Sequence, residues 1–500
     1  MTNSNLQWVP IILLAGLAAA ACTNGASAVS GKSSVPESEG TSVATGGAAA
    51  PGSVPAFGSG SAIAGAASDP TIDASPTPTG GVTGTAMAAG GSTASMGGST
   101  AAGGMSAFVD GTSSASTAST SPAAVVKPTQ DTAGRMTAGT WDDNLNFTFY
   151  QSYLDQTAAS QLQGMPSIDR SSRIVVLVKT ADGQPVAGAK VSATASAGET
   201  FSSTTGAEGR VLFFPGWSGV ATSVPVTITA TLGTDVASQT VPAASGTVEL
   251  TLTATPWTAV AALDLAFVVD TTGSMMDELS YLQTELDAIV AGIATQSPGV
   301  DQRWALVVYR DQGDQYVVRS FDFTSNLATF RQTLAAQSSD GGGDMPEAVD
   351  QGLAAANQLS WRSGPVARAA FWIADAPQHT ERAAAVAADL VGAATEAIHI
   401  YPVAASGIDD LGEFTMRTAA EVTGGRYLFL TDDSGIGDSH QEPHIPCYYV
   451  TSLASAMRRM VAIELTGVYV EPAATEIIRT GGDPQSRLCT LADGSAVTAW

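Results

Sequence analysis

The run VVDTTGSMMDE, beginning at Val268, sets an oxygen-bearing side chain at every second position after an apolar stretch: the carboxylate of Asp270, then the hydroxyls of Thr272 and Ser274. Asp277 and Glu278 follow at once. Oxygen donors without nitrogen or sulfur are hard ligands, which suit Mg²⁺, Mn²⁺ or Ca²⁺ rather than Zn²⁺. Two more acid-bearing segments follow in order, GGGDMPEAVDQGL with Asp344 and Glu347, and FWIADAPQH, in which Asp375 ends an apolar run. Asp311 and Asp314, in YRDQGDQY, either join this set or solvate a turn.

The surrounding pattern says what must position these groups. LDLAFVVD, RWALVVYR, ARAAFWIADA, IHIYPVAAS and RYLFLTD are short, nearly continuous apolar runs, as expected of strands covered on both faces. Between most of them lie helical stretches; Leu279, Leu282, Leu286, Ile289, Val290 and Ile293 recur at three- and four-residue spacing along one face. Strands alternating with amphipathic helices predict an α/β, doubly wound, mostly parallel sheet, with ligands bound beyond the carboxyl ends of its strands. YVVRSFDFT follows its predecessor after too short a turn for a parallel crossover, which predicts an antiparallel edge strand.

D-x-T-x-S after an apolar strand resembles the metal-ion-dependent adhesion site of von Willebrand factor A domains, and the resemblance extends over about 263–465. Within it, Asp344 and Glu347 resemble the D-x-P-E loop of integrin β subunits, and Asp375 resembles the family's distal aspartate. The resemblance implies direct metal contacts from Thr272 and Ser274, water-mediated ones from Asp270 and Asp375, a metal-binding Glu347, and an open position that takes a carboxylate from a protein partner. Asp277 and Glu278 match an acidic pair beside that site in integrin β subunits, which implies a second ion; the alternative is acids in a helix's first turn, favoured by its dipole.

Before this domain, predicted at 257–465, residues 171–256 show β-branched runs separated by D-G, A-G and E-G turns, the signature of an antiparallel β-sandwich. DGQPVAGAKV and TTGAEGRVLFFPG resemble carboxypeptidase regulatory-like and bacterial immunoglobulin-like modules, which carry no catalytic cluster. Residues 23–139 are Ala, Gly, Ser, Thr and Pro with almost no charge, a composition expected to remain a disordered tether. Residues 140–170 show no clear period, and 466–500 read as a C-terminal tail.

At the N-terminus VPIILLAGLAAAACTNG has the length of an export signal. The small-residue run ending at Cys22 resembles a bacterial lipobox, which implies a signal peptide over 1–22, acylation of Cys22 and attachment to a membrane; an ordinary secretory signal is the alternative. Either way the expected location is the cell envelope, at the outer membrane or cell surface, or else periplasmic or secreted. With Cys22 set aside, Cys447 and Cys489 form an even pair, expected to be disulfide-bonded in an oxidising compartment. The formal charge of −25, from 21 Lys and Arg against 46 Asp and Glu, argues against nucleic-acid binding.

One more loop carries metal-ligand chemistry. LTDDSGIGDSHQEPHIPCYYV places His440, Glu442 and His444 at alternate positions, either a Zn-type group or a solvated polar loop. No Ser/His/Asp or Cys/His arrangement stands out, so the expectation is a non-catalytic envelope lipoprotein that binds a partner through Mg²⁺ or a similar ion, in adhesion or envelope assembly. The alternatives are a metal-dependent hydrolase and a subunit of an ATP-driven complex.

Overall fold

Ala262–Asp270 is buried from Leu263 onward on both of its faces because helices cover both. Against one face pack Met276–Gln296, Leu327–Ala335 and Leu453–Thr466; against the other pack Val349–Asn357, Ala383–Thr395 and Asp410–Thr423. The six apolar positions spaced along Met276–Gln296 are all buried, and each such side chain contributes about 1.5–3 kcal/mol. Side-chain caps start three of these helices: Asn326 accepts from the Thr329 N–H at 3.2 Å, Asp409 from Gly412 at 2.8 Å and Ser452 from Ser455 at 3.2 Å. The computed structural model describes residues 136–499, apart from Ala197, Asp344 and Asp438 and the side chains of Ala159, Glu199 and Asp277. The signal peptide, Cys22 and nearly all of the predicted tether lie outside the described residues.

Among the described residues the central sheet has nine strands, in the order Val318–Thr324, Asp301–Tyr309, Ala262–Asp270, Ala367–Ala374, His399–Ala404, Tyr427–Leu430, Thr137–Trp141, Tyr448–Ser452 and Arg479–Gly481. The five from Asp301–Tyr309 to Tyr427–Leu430 are parallel, as expected of strands joined by helical crossovers. Val318–Thr324 is the antiparallel edge strand that its short turn requires.

Two boundaries and one strand pairing differ from expectation. Thr137–Trp141, split in the sequence between the tether and an unassigned stretch, lies inside the sheet, antiparallel to both Tyr427–Leu430 and Tyr448–Ser452. TAGTW is five residues with one Gly and no alternation, too short to announce itself, yet all five are buried. Residues 466–500 are not a plain tail: Arg479–Gly481 edges the sheet, and Leu488–Thr490 pairs with Ala496–Thr498. Between Ile174 and Leu252, sheets of three and four strands share one apolar core, but Ile174–Thr180 pairs in parallel with Gly246–Leu252, so the arrangement is not purely antiparallel.

This two-sheet unit meets the end of the central sheet where its parallel strands begin. Ser203 donates to the Ala394 carbonyl at 2.8 Å, and Glu208 pairs with Arg426 at 3.2 Å. Asp270 lies at the opposite end. Thr137, where the described chain enters, is at the Asp270 end, hydrogen-bonded to Thr431.

Cys447 and Cys489 are disulfide-bonded, with Cα atoms 6.4 Å apart and 42 residues between them in sequence. Closing a loop of that length stabilises by up to about 4 kcal/mol in the chain-entropy account. Reductant, or Cys489→Ser, is therefore expected to lower the thermal midpoint by several degrees; melts that coincide with and without reductant would contradict this. Among the described residues no helix is long and apolar enough to cross a membrane.

Candidate metal centre

Asp270 is the last residue of its strand, so its side chain is carried to the sheet's carboxyl end while remaining fully buried. The chain then turns through Gly273–Met275 into the helix Met276–Gln296. That turn folds the hydroxyls back: Thr272 donates to Asp270 Oδ1 from its backbone N–H at 2.9 Å and from Oγ1 at 2.7 Å, and Thr272 Oγ1 lies 3.2 Å from Ser274 Oγ. The three oxygen-bearing residues of the motif are thus gathered by local geometry alone.

The loop before Val349–Asn357 closes over this turn. Gly273 donates to the Gly341 carbonyl at 3.0 Å, and Asp340 donates to the Thr271 carbonyl at 3.2 Å. Gly342, at φ 61°, admits no side chain, since a Cβ there would stand 2.9 Å from Thr272 Cβ and 3.0 Å from Glu347 Oε1. That double contact sets the Glu347 carboxyl beside Thr272. Glu347 is held from behind by its own N–H, which donates to the Pro377 carbonyl at 2.9 Å, so the loop after Ala367–Ala374 and the Glu347 loop are tied together. Asp375 follows that strand directly and is buried.

Crowding acids out of water raises their proton affinity. Burial, then the Asp375 charge, pushes Asp270 up to about 7, and burial, then the charges of Asp270, Asp311 and Asp375, pushes Glu347 up to about 9. Asp270 Oδ2 and Glu347 Oε2 are buried without a hydrogen-bond partner among the described residues. Buried carboxylate oxygens are ordinarily satisfied, so these two, beside two hydroxyls, fit a hard divalent cation.

The remaining predicted residues make other contacts. Asp311 Oδ1 lies 2.7 Å from His379 Nε2, and Asp314 Oδ2 accepts from the N–H groups of Asp311 and Gly342 at 3.2 and 3.1 Å, so both brace the rim. Glu278 is not a solvated first-turn acid: it is buried, and its Oε1 accepts from the Ser406 backbone N–H at 3.3 Å and from the Ser406 hydroxyl. Asp277's side chain and Asp344 lie outside what is described.

His440, Glu442 and His444 do not meet. His440 Nδ1 is 2.8 Å from Asp432, Glu442 accepts from the Tyr448 hydroxyl at 2.5 Å, and His444 Nδ1 is 2.9 Å from Glu413. Alternate spacing in a loop says nothing of direction, and each side chain finds a different anchor. The sequence reading missed Ser406 and the pair Asp142 and Asp143. In Ser406 the only signal was a small residue after a strand end; Asp142 and Asp143 stood openly as WDD, but without a partner in view.

The von Willebrand factor A domain family matches residues 264–400. The putative ariadne-like RING finger protein R811 of Acanthamoeba polyphaga mimivirus is 30% identical over 190 residues, 34% of this chain, and the chain spans only 18% of that relative. Among solved structures, the conserved hypothetical protein BatB of Bacteroides thetaiotaomicron is 14% identical, with 41% of this chain and 98% of that one covered and a TM-score of 0.29. A von Willebrand factor type A protein of Catenulispora acidiphila is 13% identical over 60% of this chain and 52% of its own, with a TM-score of 0.29.

Proposed function

Starting from a von Willebrand factor A domain at residues 264–400, we propose that the chain is a cell-envelope protein that binds a protein partner through a divalent cation, Mg²⁺ or a similar ion, held by Asp270, Thr272, Ser274, Glu347 and Asp375. What carries the reading is the pair of buried carboxylate oxygens without partners, Asp270 Oδ2 and Glu347 Oε2, beside the hydroxyls of Thr272 and Ser274. When bound, the cation supplies an electrophile for a carboxylate of the partner. The protein's part is to orient the oxygens: Thr272 holds Asp270 by two hydrogen bonds, and Gly342 packs close to both Thr272 and Glu347.

The two-sheet unit, of carboxypeptidase regulatory-like or immunoglobulin-like type, acts as a spacer at the far end of the sheet, and the lipobox-like Cys22 supplies a lipid anchor. Cys22→Ser is expected to release the chain from membranes or leave it unprocessed; unchanged fractionation would remove the anchor from this reading. The binding itself is tested by immobilising the full chain and passing envelope extract over it in Mg²⁺ or in EDTA, before and after amidation of the extract's carboxylates with carbodiimide. Capture that needs both Mg²⁺ and free carboxylates is the expected result. Capture indifferent to either contradicts the proposal.

A further inference from the structure

We propose that Arg319, stacked on Tyr316, is a second contact for the partner, selecting one that presents a second carboxylate near the carboxylate bound at the metal. This rests on the metal reading above. Tyr316 OH lies 2.8 Å from Thr271 Oγ1, and Thr271 sits between Asp270 and Thr272. Tyr316 is therefore tied to the residue between two of the proposed ligands. Two guanidinium groups flank that ring, Arg310 at 4.5 Å and Arg319 at 3.8 Å from its centre.

The two arginines differ in what they are free to do. Arg310 is buried, and its Nη2 donates to the Ser338 carbonyl at 2.7 Å, so it braces the loop leading to Gly341. Arg319 is exposed, on the edge strand, and forms no ion pair with a carboxylate among the described residues. A guanidinium lying flat on an aromatic ring keeps its N–H edge open, and that edge matches a carboxylate in a paired, in-plane geometry. Stacking also removes much of the rotamer freedom that a free arginine would lose on binding. In a chain of net charge −25, with five acids around the centre, an acidic partner is repelled everywhere except where positive charge is placed for it. Arg319, over the ring of the tyrosine bonded to Thr271, is such a place. Exposed Met276 and Met345, also near the centre in sequence, would suit an apolar partner instead, and the test separates the two.

The probes are two blocked glycine-rich peptides, one with a single aspartate and one with two aspartates separated by two glycines, titrated into the full chain in Mg²⁺. The two-aspartate peptide is expected to bind about 3- to 10-fold more tightly, the range of a partly exposed charge-assisted pair. In Arg319→Gln that preference should vanish while affinity for Mg²⁺ and for the single-aspartate peptide is unchanged; Arg319→Lys, which keeps the charge, should retain part of it. Equal binding of the two peptides to the parent overturns the proposal, as does a preference that survives in Arg319→Gln. A change in Mg²⁺ affinity in Arg319→Gln overturns it as well, because the arginine would then act through the centre. If neither peptide binds in Mg²⁺, the carboxylate-binding reading of the centre itself fails, a result distinct from equal binding of both.

Discussion

Asp143→Ala is expected to destabilise the protein by about 3–5 kcal/mol, enough to leave much of it unfolded at physiological temperature if its total stability is ordinary. Arg417 is completely buried in the helix Asp410–Thr423, and its guanidinium donates to both oxygens of Asp143, at 2.8 and 3.0 Å, and to Glu413 at 3.1 Å. It also lies 3.8 Å over the Tyr153 ring. Removing Asp143 leaves a guanidinium that has no route to water and one carboxylate where it had two. The size of the effect therefore comes from the charge left behind rather than from the worth of the pair, and Arg417→Met in the same chain should restore much of the loss. Urea unfolding of the single and double variants decides it: losses that simply add would contradict the account. Asp142 makes the equivalent connection to Arg426 at 2.9 Å. The segment around Trp141 thus belongs to the fold of the central sheet although the two-sheet unit intervenes, and a fragment starting near Trp257 is expected not to fold.

The second large effect is the dependence of stability on pH and metal. Asp270 and Glu347 bind protons more tightly when folded, up to about 7 and about 9, than an unfolded chain does near 4. Between these values the folded state carries protons that the unfolded state has released. Stability of the metal-free protein therefore falls as pH rises from about 5 to about 9. For the fully buried Asp270 the upper bound is about 4 kcal/mol, at 1.36 kcal/mol per unit; Glu347 acts in the same direction. A cation replaces the protons, so saturating Mg²⁺ at pH 8 should restore about 2.7 kcal/mol when present at a hundred times its dissociation constant. Thermal melts at pH 5, 7 and 9, with Mg²⁺ and with EDTA, check both halves. A metal-free protein whose stability is flat or rises over this range would contradict the described crowding of acids.

The parallel core and the candidate centre were legible in the sequence because their signals are local. Nearly continuous apolar runs mark strands covered on both faces, and D-x-T-x-S gathers its oxygens within five residues; Glu347 and Asp375 come from distant chain and were found only through the resemblance. The sequence was silent where a residue's role is set by a partner far along the chain. Thr137–Trp141 is held by Tyr427–Leu430, nearly 300 residues away, and nothing in TAGTW reveals that. Glu278 has the sequence position of a helix-dipole acid but is claimed by Ser406, more than a hundred residues on. His440, Glu442 and His444 erred in the other direction, since regular spacing in a loop suggested convergence that three separate hydrogen-bond partners undo.

The central claim, that Asp270, Thr272, Ser274, Glu347 and Asp375 hold a divalent cation, is tested most directly by isothermal titration of Mg²⁺ into the full chain and into Asp270→Ala and Ser274→Ala. Neither substitution removes buried apolar volume, so both variants should stay folded; Asp270→Ala relieves a crowded acid but leaves the buried Thr272 N–H and hydroxyl without their Asp270 acceptor. The account predicts saturable binding at one site in the parent and at least a tenfold loss of affinity in both variants, about 1.4 kcal/mol or more. Variants that bind Mg²⁺ as tightly as the parent, while remaining folded, would contradict it and reduce VVDTTGSMMDE to a strand end and the start of a helix.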